Sequence, residues 1–290
     1  GIPFWNMPAP IYYNKDMFKE AGLDPEEPPL TYEEYEEVAQ IIKDETGNYG
    51  FTFATIGWFF EELLANQNAL FINNDNGFSG EPTETLIHEE PGQVIFEWVD
   101  RMNRAGTFNN YGANWEDPRA PFLAEQVAMY FDSSANTREM VGNADFEIGT
   151  VRLPVPEGVE PFGATVGGNS TYITNQVSEE EQQAAWEFIK YSVEPETQAT
   201  WAAATGYFPV TKAANEIDIL KETYEEYPQM LTATEVNSNT PPTPATSGPL
   251  SDHGEQFRNI VETALEETYE GADPIEALNR AAERINELLN

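Results

Sequence analysis

The chain has 290 residues, with 14 Lys plus Arg against 51 Asp plus Glu and a formal net charge of −37. A surface so negative repels phosphate backbones and anionic lipid head groups, which excludes nucleic acid and membrane surfaces as partners. The absence of Cys excludes disulfides, thiolate zinc sites and thiol nucleophiles.

Hydrophobic residues at 40% and aromatics at 12%, with six Trp, thirteen Tyr and seventeen Phe, are ample for a packed core, so disorder does not explain the acidity. The acidic residues run through the whole length, and the last Lys is Lys221. Short carboxylates hold water and counterions while salt screens their mutual repulsion, so this coat points to a halophile, and a haloarchaeal one is expected. His88 and His253 are the only histidines, too few for a histidine metal cluster. No apolar stretch approaches the roughly 20 residues that span a bilayer. The opening GIPFWNMPAP has neither a basic start nor an apolar signal core, and it reads as the middle of a longer chain.

Residues 10–13 form a short β-prone run, and Asn14 is placed to cap a short helix ended by Gly22. Thr31 and Glu34 form a capping box for a helix whose apolar face is Tyr35, Val38, Ile41 and Ile42, stopped by Gly47. A strand at 49–54 and an aromatic helix from Trp58 to Leu64 follow. Residues 73–84 lack EF-hand spacing and read as a surface turn. Val94, Ile95, Trp98, Val99 and Met102 set a helix closed by Gly106. The run 127–131 is a buried strand leading into Asp132, Ser133 and Ser134, and another strand near 147–153 ends at Pro154.

Residues 167–174 read as a strand leaving a double-glycine turn. Ser178 and Glu181 box a helix expected to bury Ala185, Phe188, Ile189 and Ser192, and a second helix runs from Pro195 to Gly206. The Thr-, Pro- and Ser-rich stretch 232–249 reads as an ordered loop or linker. Two amphipathic helices close the chain: one through Phe257, Ile260, Val261 and Leu265, the other capped at Asp273 and Pro274 with Leu278, Ala281, Ile285 and Leu288 inward. Short strands interleaved with many capped helices make the fold class α/β.

Paired carboxylates beside tryptophan raise the possibility of a secreted carbohydrate-active enzyme, a glycoside hydrolase using an Asp/Glu pair. Glu61 and Glu62 beside Trp58, or Glu116 and Asp117 beside Trp115, are the available pairs. With 51 carboxylates such pairs arise by chance, so a solvated acidic face over a buried indole is the favoured reading. No nucleophile elbow, P-loop or nucleotide fingerprint is present. No catalytic residue, metal or cofactor is assigned. A lectin-like or surface-layer module is a third class.

Small polar and aromatic residues at turns remain: Trp58, Ser133, Ser134, Gly167, Gly168, Tyr207 and Arg258. They suit a cleft in which rings cover apolar sugar or polyol faces and hydroxyls fix oxygens. The pattern leaves Trp58 open as stacking residue or core. Arg258, one of eight Arg, sits in the first turn of its helix, where the dipole disfavours a cation. Either an anion or an ion pair with a nearby Glu offsets that cost.

Several stretches together resemble one family. They are PAPIYYNKDMFKEAGLDPEEPPLTYEEYEEVA from Pro8, the loop 73–80, FLAEQVAMYFDSSAN (122–136), VGGNSTYI (166–173), TGYFPVTKAA (205–214) and the closing FRNIVETALEETYEGADPIEALNRA. Their order and spacing resemble the extracellular solute-binding proteins of ABC importers, in the subgroup that binds glycerol 3-phosphate or sugars.

The resemblance implies a two-lobed, periplasmic-binding-protein-like fold of type II with its first lobe incomplete. Residues 9–165 and 216–290 would form the second lobe. Residues 1–8 and 166–215 would be the crossover and the returning part of the first. It implies a non-enzymatic, monomeric, extracellular protein at the cell surface, lipid-anchored through a missing N-terminus. That protein would deliver a polyol phosphate or sugar to a membrane permease. The subgroup's ligand contacts fall on Ser134, Gly168, Tyr207 and Arg258, with Trp58 as the stacking indole. Asn6 and Met7 stand where the family has paired serines; Asn6 can donate and Met7 cannot. The family's Arg-bearing glycine loop is changed here to SGPLSDHG (247–254).

Overall fold

The computed structural model describes residues 1–165 and 167–290. Val166, which opens the double-glycine stretch and the 166–215 segment, lies outside the described residues.

Strands β1 (Ile2–Met7) and β2 (Ile11–Asn14) open the chain, followed by helices α1 (Lys15–Glu20) and α2 (Tyr32–Thr46). Next come β3 (Tyr49–Phe53), α3 (Gly57–Asn66), α4 (Asn73–Asn76), α5 (Glu90–Ala105) and α6 (Arg119–Leu123). Strand β4 (Val127–Phe131), α7 (Thr137–Asn143), β5 (Ile148–Val151) and β6 (Gly167–Thr171) complete the strands. The rest is helical: α8 (Glu179–Ser192), α9 (Pro195–Thr205), α10 (Asp218–Glu226), α11 (Met230–Asn239), α12 (Gly254–Tyr269) and α13 (Pro274–Leu289).

The main sheet has the order β3-β4-β2-β5, with β3 and β4 parallel and β2 antiparallel to both neighbours. Every residue of β2 and β4 is buried, as expected of strands covered on both faces. Period-2 alternation divides β2 between two clusters. Ile11 and Tyr13 join the large core of α2, α3, α5, α12 and α13, while Tyr12 joins Phe122, Val127, Tyr130, Met140 and Ile148 on the other face. At the heart of the large core Trp98 stacks on Tyr32 with centroids 4.2 Å apart and meets Phe51 at 5.5 Å.

Local signals hold where they were strongest. Asn14 accepts from the Met17 N–H, both capping boxes are formed at Thr31 and Ser178, and Asp273 caps α13. Residues 73–76 make a single turn in which Asn74 and Asp75 have left-handed backbone, so the surface-turn reading stands.

Strand β1 pairs with β6 in a separate two-stranded antiparallel sheet, with Asn6 opposite Gly168 and Met7 opposite Gly167. Helix α9 is tied to it: buried Gln198 donates to the carbonyls of Phe4 and Ser192 and accepts from the Val210 N–H.

Two expectations fail, and one helix was not foreseen. Residues 232–239 belong to α11, not to a loop. The hydroxyls of Thr234 and Thr240 bond to the carbonyls of Met230 and Val236 one turn back, and Met230 and Ala233 are buried against Phe208, so packing overrides a loop-like composition. Helix α10 carries no comparable sequence signal but places Leu220 in an alanine-rich cluster. In α8, Ile189 and Ser192 are buried as expected, whereas Phe188 is 60% exposed and Ala185 only half-buried. The helical period is right, but among the described residues no element packs over that face.

Candidate functional site

Beyond β4 the chain leaves the sheet at Asp132, which is buried. Its carboxylate accepts from the Ser133 N–H (2.7 Å), the Asn136 amide (2.8 Å) and Arg119 (3.3 Å). Burial pushes its pKa up, against the pull of these donors and of the Arg119 charge. The carbonyls of Ser133 and Ser134 are pinned by the hydroxyls of Tyr12 and Thr137, and the Ser134 N–H donates to Pro8 at 3.1 Å. The backbone of this turn is therefore committed. The Ser134 hydroxyl, 1% exposed, has no partner among the described residues. An unpaired buried hydroxyl is costly, so the Ser134 hydroxyl is a polar group that the described residues leave unsatisfied.

The end of β1 brings in the next pieces. Asn6 exchanges backbone hydrogen bonds with Phe208 at 3.2 and 2.9 Å, so the loop after α9 lies beside β1, and the Tyr207 ring rests 4.3 Å from Trp5. A Cβ at Gly168 would stand 2.5 Å from the Trp5 carbonyl oxygen and 3.1 Å from Asn6 Oδ1, so only glycine fits there. The neighbouring Gly167 lets Trp58 approach, since a Cβ would lie 3.3 Å from its indole.

Trp58 is 7% exposed and packs on Phe59 and on Trp115, at 5.4 and 5.5 Å. It belongs to the core and also borders Gly167. Its helix is placed by contact with α12. A Cβ at Gly57 would lie 2.6 Å from Arg258 Cα, and the uncapped Gly57 N–H is satisfied by Glu262 at 2.9 Å.

Glu61, one turn after Trp58, receives Arg258 in a two-pronged pair, Nε to Oε1 at 2.9 Å and Nη2 to Oε2 at 2.7 Å. Burial raises the Glu61 pKa while Arg258 opposes the shift. Glu62 is fully buried and accepts from the Thr165 hydroxyl at 2.8 Å. Its pKa is raised well above the usual carboxylate range, by burial first, with Thr165 opposing and the Glu61 charge adding.

The solvated acidic face expected at Glu61 and Glu62 is thus corrected: both side chains are inside. Adjacent on one helix, they point to different neighbours, a relation that does not flank a scissile glycosidic bond. The dipole argument for Arg258 also changes. Helix α12 begins at Gly254, which places Arg258 beyond its first turn, and the partner is a carboxylate of α3.

The structure therefore gathers Asn6, Gly168 and Tyr207 around the end of β1, joins Ser134 to them through Pro8, and adds Trp58 through Gly167. Arg258 enters from α12 by way of Glu61. Sequence reasoning missed Trp5, Trp115 and Asp132 as parts of this neighbourhood, and weighed Glu61 only as half of a catalytic pair. An isolated aromatic or acidic residue in so acidic a chain carries no signal of its own. Cavities of about 500 Å³, lined by Arg152, Glu235 and Asn239 among others, and about 640 Å³, beside Phe78, Leu250 and His253, lie away from the cluster.

Residues 1–232 match the family described as bacterial extracellular solute-binding protein. The chain belongs to that family. Among curated relatives, the sn-glycerol-3-phosphate-binding periplasmic protein UgpB of Escherichia coli K12 is 33% identical over 293 residues, covering 99% of this chain and 66% of the relative. The same-named protein of Pectobacterium atrosepticum is 32% identical, with 65% of its length covered. The chain thus spans just under two thirds of these relatives.

Among solved structures, the cyclic alpha-maltosyl-1,6-maltose binding protein of Arthrobacter globiformis superposes with a TM-score of 0.83 at 24% identity, covering 99% of this chain and 71% of that one. UgpB of Mycobacterium tuberculosis, in complex with glycerophosphocholine, gives 0.80 at 19% identity, covering 99% and 70%. The fold is therefore the periplasmic-binding-protein-like α/β fold expected from the sequence. No helix among the described residues is long and apolar enough to cross a membrane.

Proposed function

We propose that this chain is part of the substrate-binding component of an ABC importer. It would capture glycerol 3-phosphate, a related polyol phosphate or a sugar and pass it to a membrane permease without covalent chemistry. What supports this reading is that Asn6, Gly168 and Tyr207 lie around the end of β1, with Trp58 beside Gly167, and that the turn held to Pro8 carries a buried Ser134 hydroxyl with no protein partner among the described residues. Hydroxyls and aromatic faces brought together this way suit a small polyoxygenated solute. The glycerol-3-phosphate relatives at 33% identity support the same class.

In this reading residues 9–165 and 216–290 form one lobe, residues 1–8 and 166–215 belong to its partner lobe, and ligand is held between the two as they close. The protein works as a monomer outside the cell, held at the surface by a lipid anchor, and binds no nucleic acid. The charge of −37 is salt adaptation of a halophilic, haloarchaeal protein and is not a ligand signal. Its stability is expected to rise with KCl into the molar range, and a melting temperature that falls with added KCl contradicts this.

Calorimetric titration of the full-length protein with polyol phosphates and with mono- and oligosaccharides tests the function. Saturable 1:1 binding of either class supports the reading. Binding of neither, together with hydrolysis of a glycoside, defeats it.

A further inference from the structure

Among the described residues three guanidinium groups border the cluster, and each is already engaged. Arg258 lies against Glu61 with both prongs bonded. Arg119 reaches the buried Asp132 beneath the Ser133–Ser134 turn at 3.3 Å and Glu139 at 3.4 Å. Arg138, one turn beyond Ser134, donates to the carbonyl of Ala203 and lies 4.9 Å over the Tyr227 ring. Further carboxylates stand close by: Glu62 follows Glu61 on α3, and Glu262 of α12 holds the Gly57 N–H.

A phosphate ester carries roughly −1.5 to −2 charges at neutral pH. Removing it from water costs several kcal/mol, which must be returned by unmatched positive charge or by several N–H or O–H donors aimed at its oxygens. A guanidinium already matched by a carboxylate offers direction but no net charge. Arg258 with Glu61, and Arg119 with Asp132, are each neutral as pairs, while Arg138 keeps its charge but is held by the Ala203 carbonyl and the Tyr227 ring.

What the cluster does offer is uncharged: the Ser134 hydroxyl, the Asn6 amide and the Tyr207 phenol, with the indoles of Trp5 and Trp58 alongside. Hydroxyl donors and acceptors beside flat apolar rings match alternating O–H and C–H faces.

We infer that this site takes an uncharged, polyhydroxylated ligand, a sugar or polyol, and that Glu61 sets the preference by neutralising Arg258. The inference rests on the solute-binding reading above and narrows its ligand class.

The test is a titration of the full-length protein with maltose, ribitol, glycerol 3-phosphate and glycerophosphocholine in about 1 M KCl. There the screening length is only ~3 Å, so the global charge is removed from the comparison. The expected result is that one of the neutral compounds binds at least roughly tenfold more tightly than either phosphate compound. The isosteric Glu61→Gln variant, which frees Arg258 while keeping an acceptor, is expected to gain about tenfold or more for glycerol 3-phosphate relative to the neutral ligand, a shift of ~1.4 kcal/mol.

Preferential binding of glycerol 3-phosphate by the unaltered protein, lost on Arg258→Gln, overturns the inference and leaves the solute-binding reading standing. An unchanged preference in Glu61→Gln overturns the role given to Glu61. Binding of none of the four overturns this inference, and removes the solute-binding reading as well when a glycoside is hydrolysed. Should Glu61→Gln not fold, the competition in the unaltered protein still decides the ligand class.

Discussion

The four-stranded sheet with its helices and the β1–β6 sheet with α8 and α9 are built from similarly aromatic sequence, yet they use their aromatic residues in opposite ways. Around the first, Trp98, Tyr32, Tyr35 and Phe51 are essentially inaccessible and pack ring against ring. In the second, Tyr172, Trp186, Phe188 and Tyr191 are exposed, and the buried positions are mostly small: Ala199, Ala202, Ala203 and Ala214. An amphipathic pattern states which face seeks a partner and does not supply the partner. The dense region contains its own. In the proposed reading the second region is the returning part of a lobe whose other strands lie in the longer protein.

The largest effect that would break this contrast is a core truncation. Trp98→Ala removes the ring sandwiched against Tyr32 and is expected to cost about 3–5 kcal/mol in chemical denaturation. Phe188→Ala on the exposed face of α8 is expected to stay within about 0.5 kcal/mol. A comparable loss from both would show that α8 is covered.

Next comes the junction between α3 and α12. Arg258→Ala strands a buried Glu61 carboxylate, and a loss of about 1–3 kcal/mol is expected, with part of it recovered in the double variant Glu61→Gln, Arg258→Ala. Full additivity would mean the pair contributes nothing.

The two capping boxes make a matched pair across the regions. Thr31→Ala and Ser178→Ala each remove a side-chain acceptor from an N3 amide and are each expected to cost about 1 kcal/mol of helix stability. Only the Thr31 change should move the global unfolding midpoint in full. The Ser178 change should show as faster amide exchange confined to α8.

The smallest effects are pH-dependent and of opposite sign in the two regions. Burial raises the Glu62 pKa above the ordinary 4.5, so the folded chain keeps a proton that the unfolded chain releases. Its contribution to stability is intact below pH 4.5 and declines as pH rises toward the folded value. Glu62→Gln, which can still accept from Thr165, is therefore expected to raise the melting temperature at pH 7 by a few degrees and to do nothing near pH 4. Glu181, held by Ser178, has its pKa lowered, so its contribution is present above pH 4.5 and is lost as pH falls. A Glu181→Gln variant that loses its deficit in acid, beside a Glu62→Gln variant that loses its gain there, would confirm both signs.

Much of the local architecture was legible beforehand because its causes are local. Asn14, Thr31, Ser178 and Asp273 mark helix starts through hydrogen bonds spanning two or three residues, and Gly47, Gly106 and Gly206 end helices through backbone that glycine tolerates. Helix α11 escaped because its hydroxyls cap its own carbonyls while Met230 and Ala233 pack on a distant Phe208. The candidate site was half legible. Ser134 and Tyr207 sit at turns that composition marks, and Gly168 lies in strand β6 rather than in the expected double-glycine turn, but no pattern in the sequence joins residues 6, 134, 168 and 207.

The sequence by itself determined the α/β class, the helix boundaries set by caps and the acidic coat, since these follow from nearest neighbours and from sums over residues. Only the tertiary structure decided that Glu61 is buried on Arg258 across 197 positions of chain, that Gly57 is small because α12 lies against it, and that Phe188 faces outward. Those depend on which surfaces meet, and a contact between residues far apart leaves no period and no spacing in the sequence to reveal it.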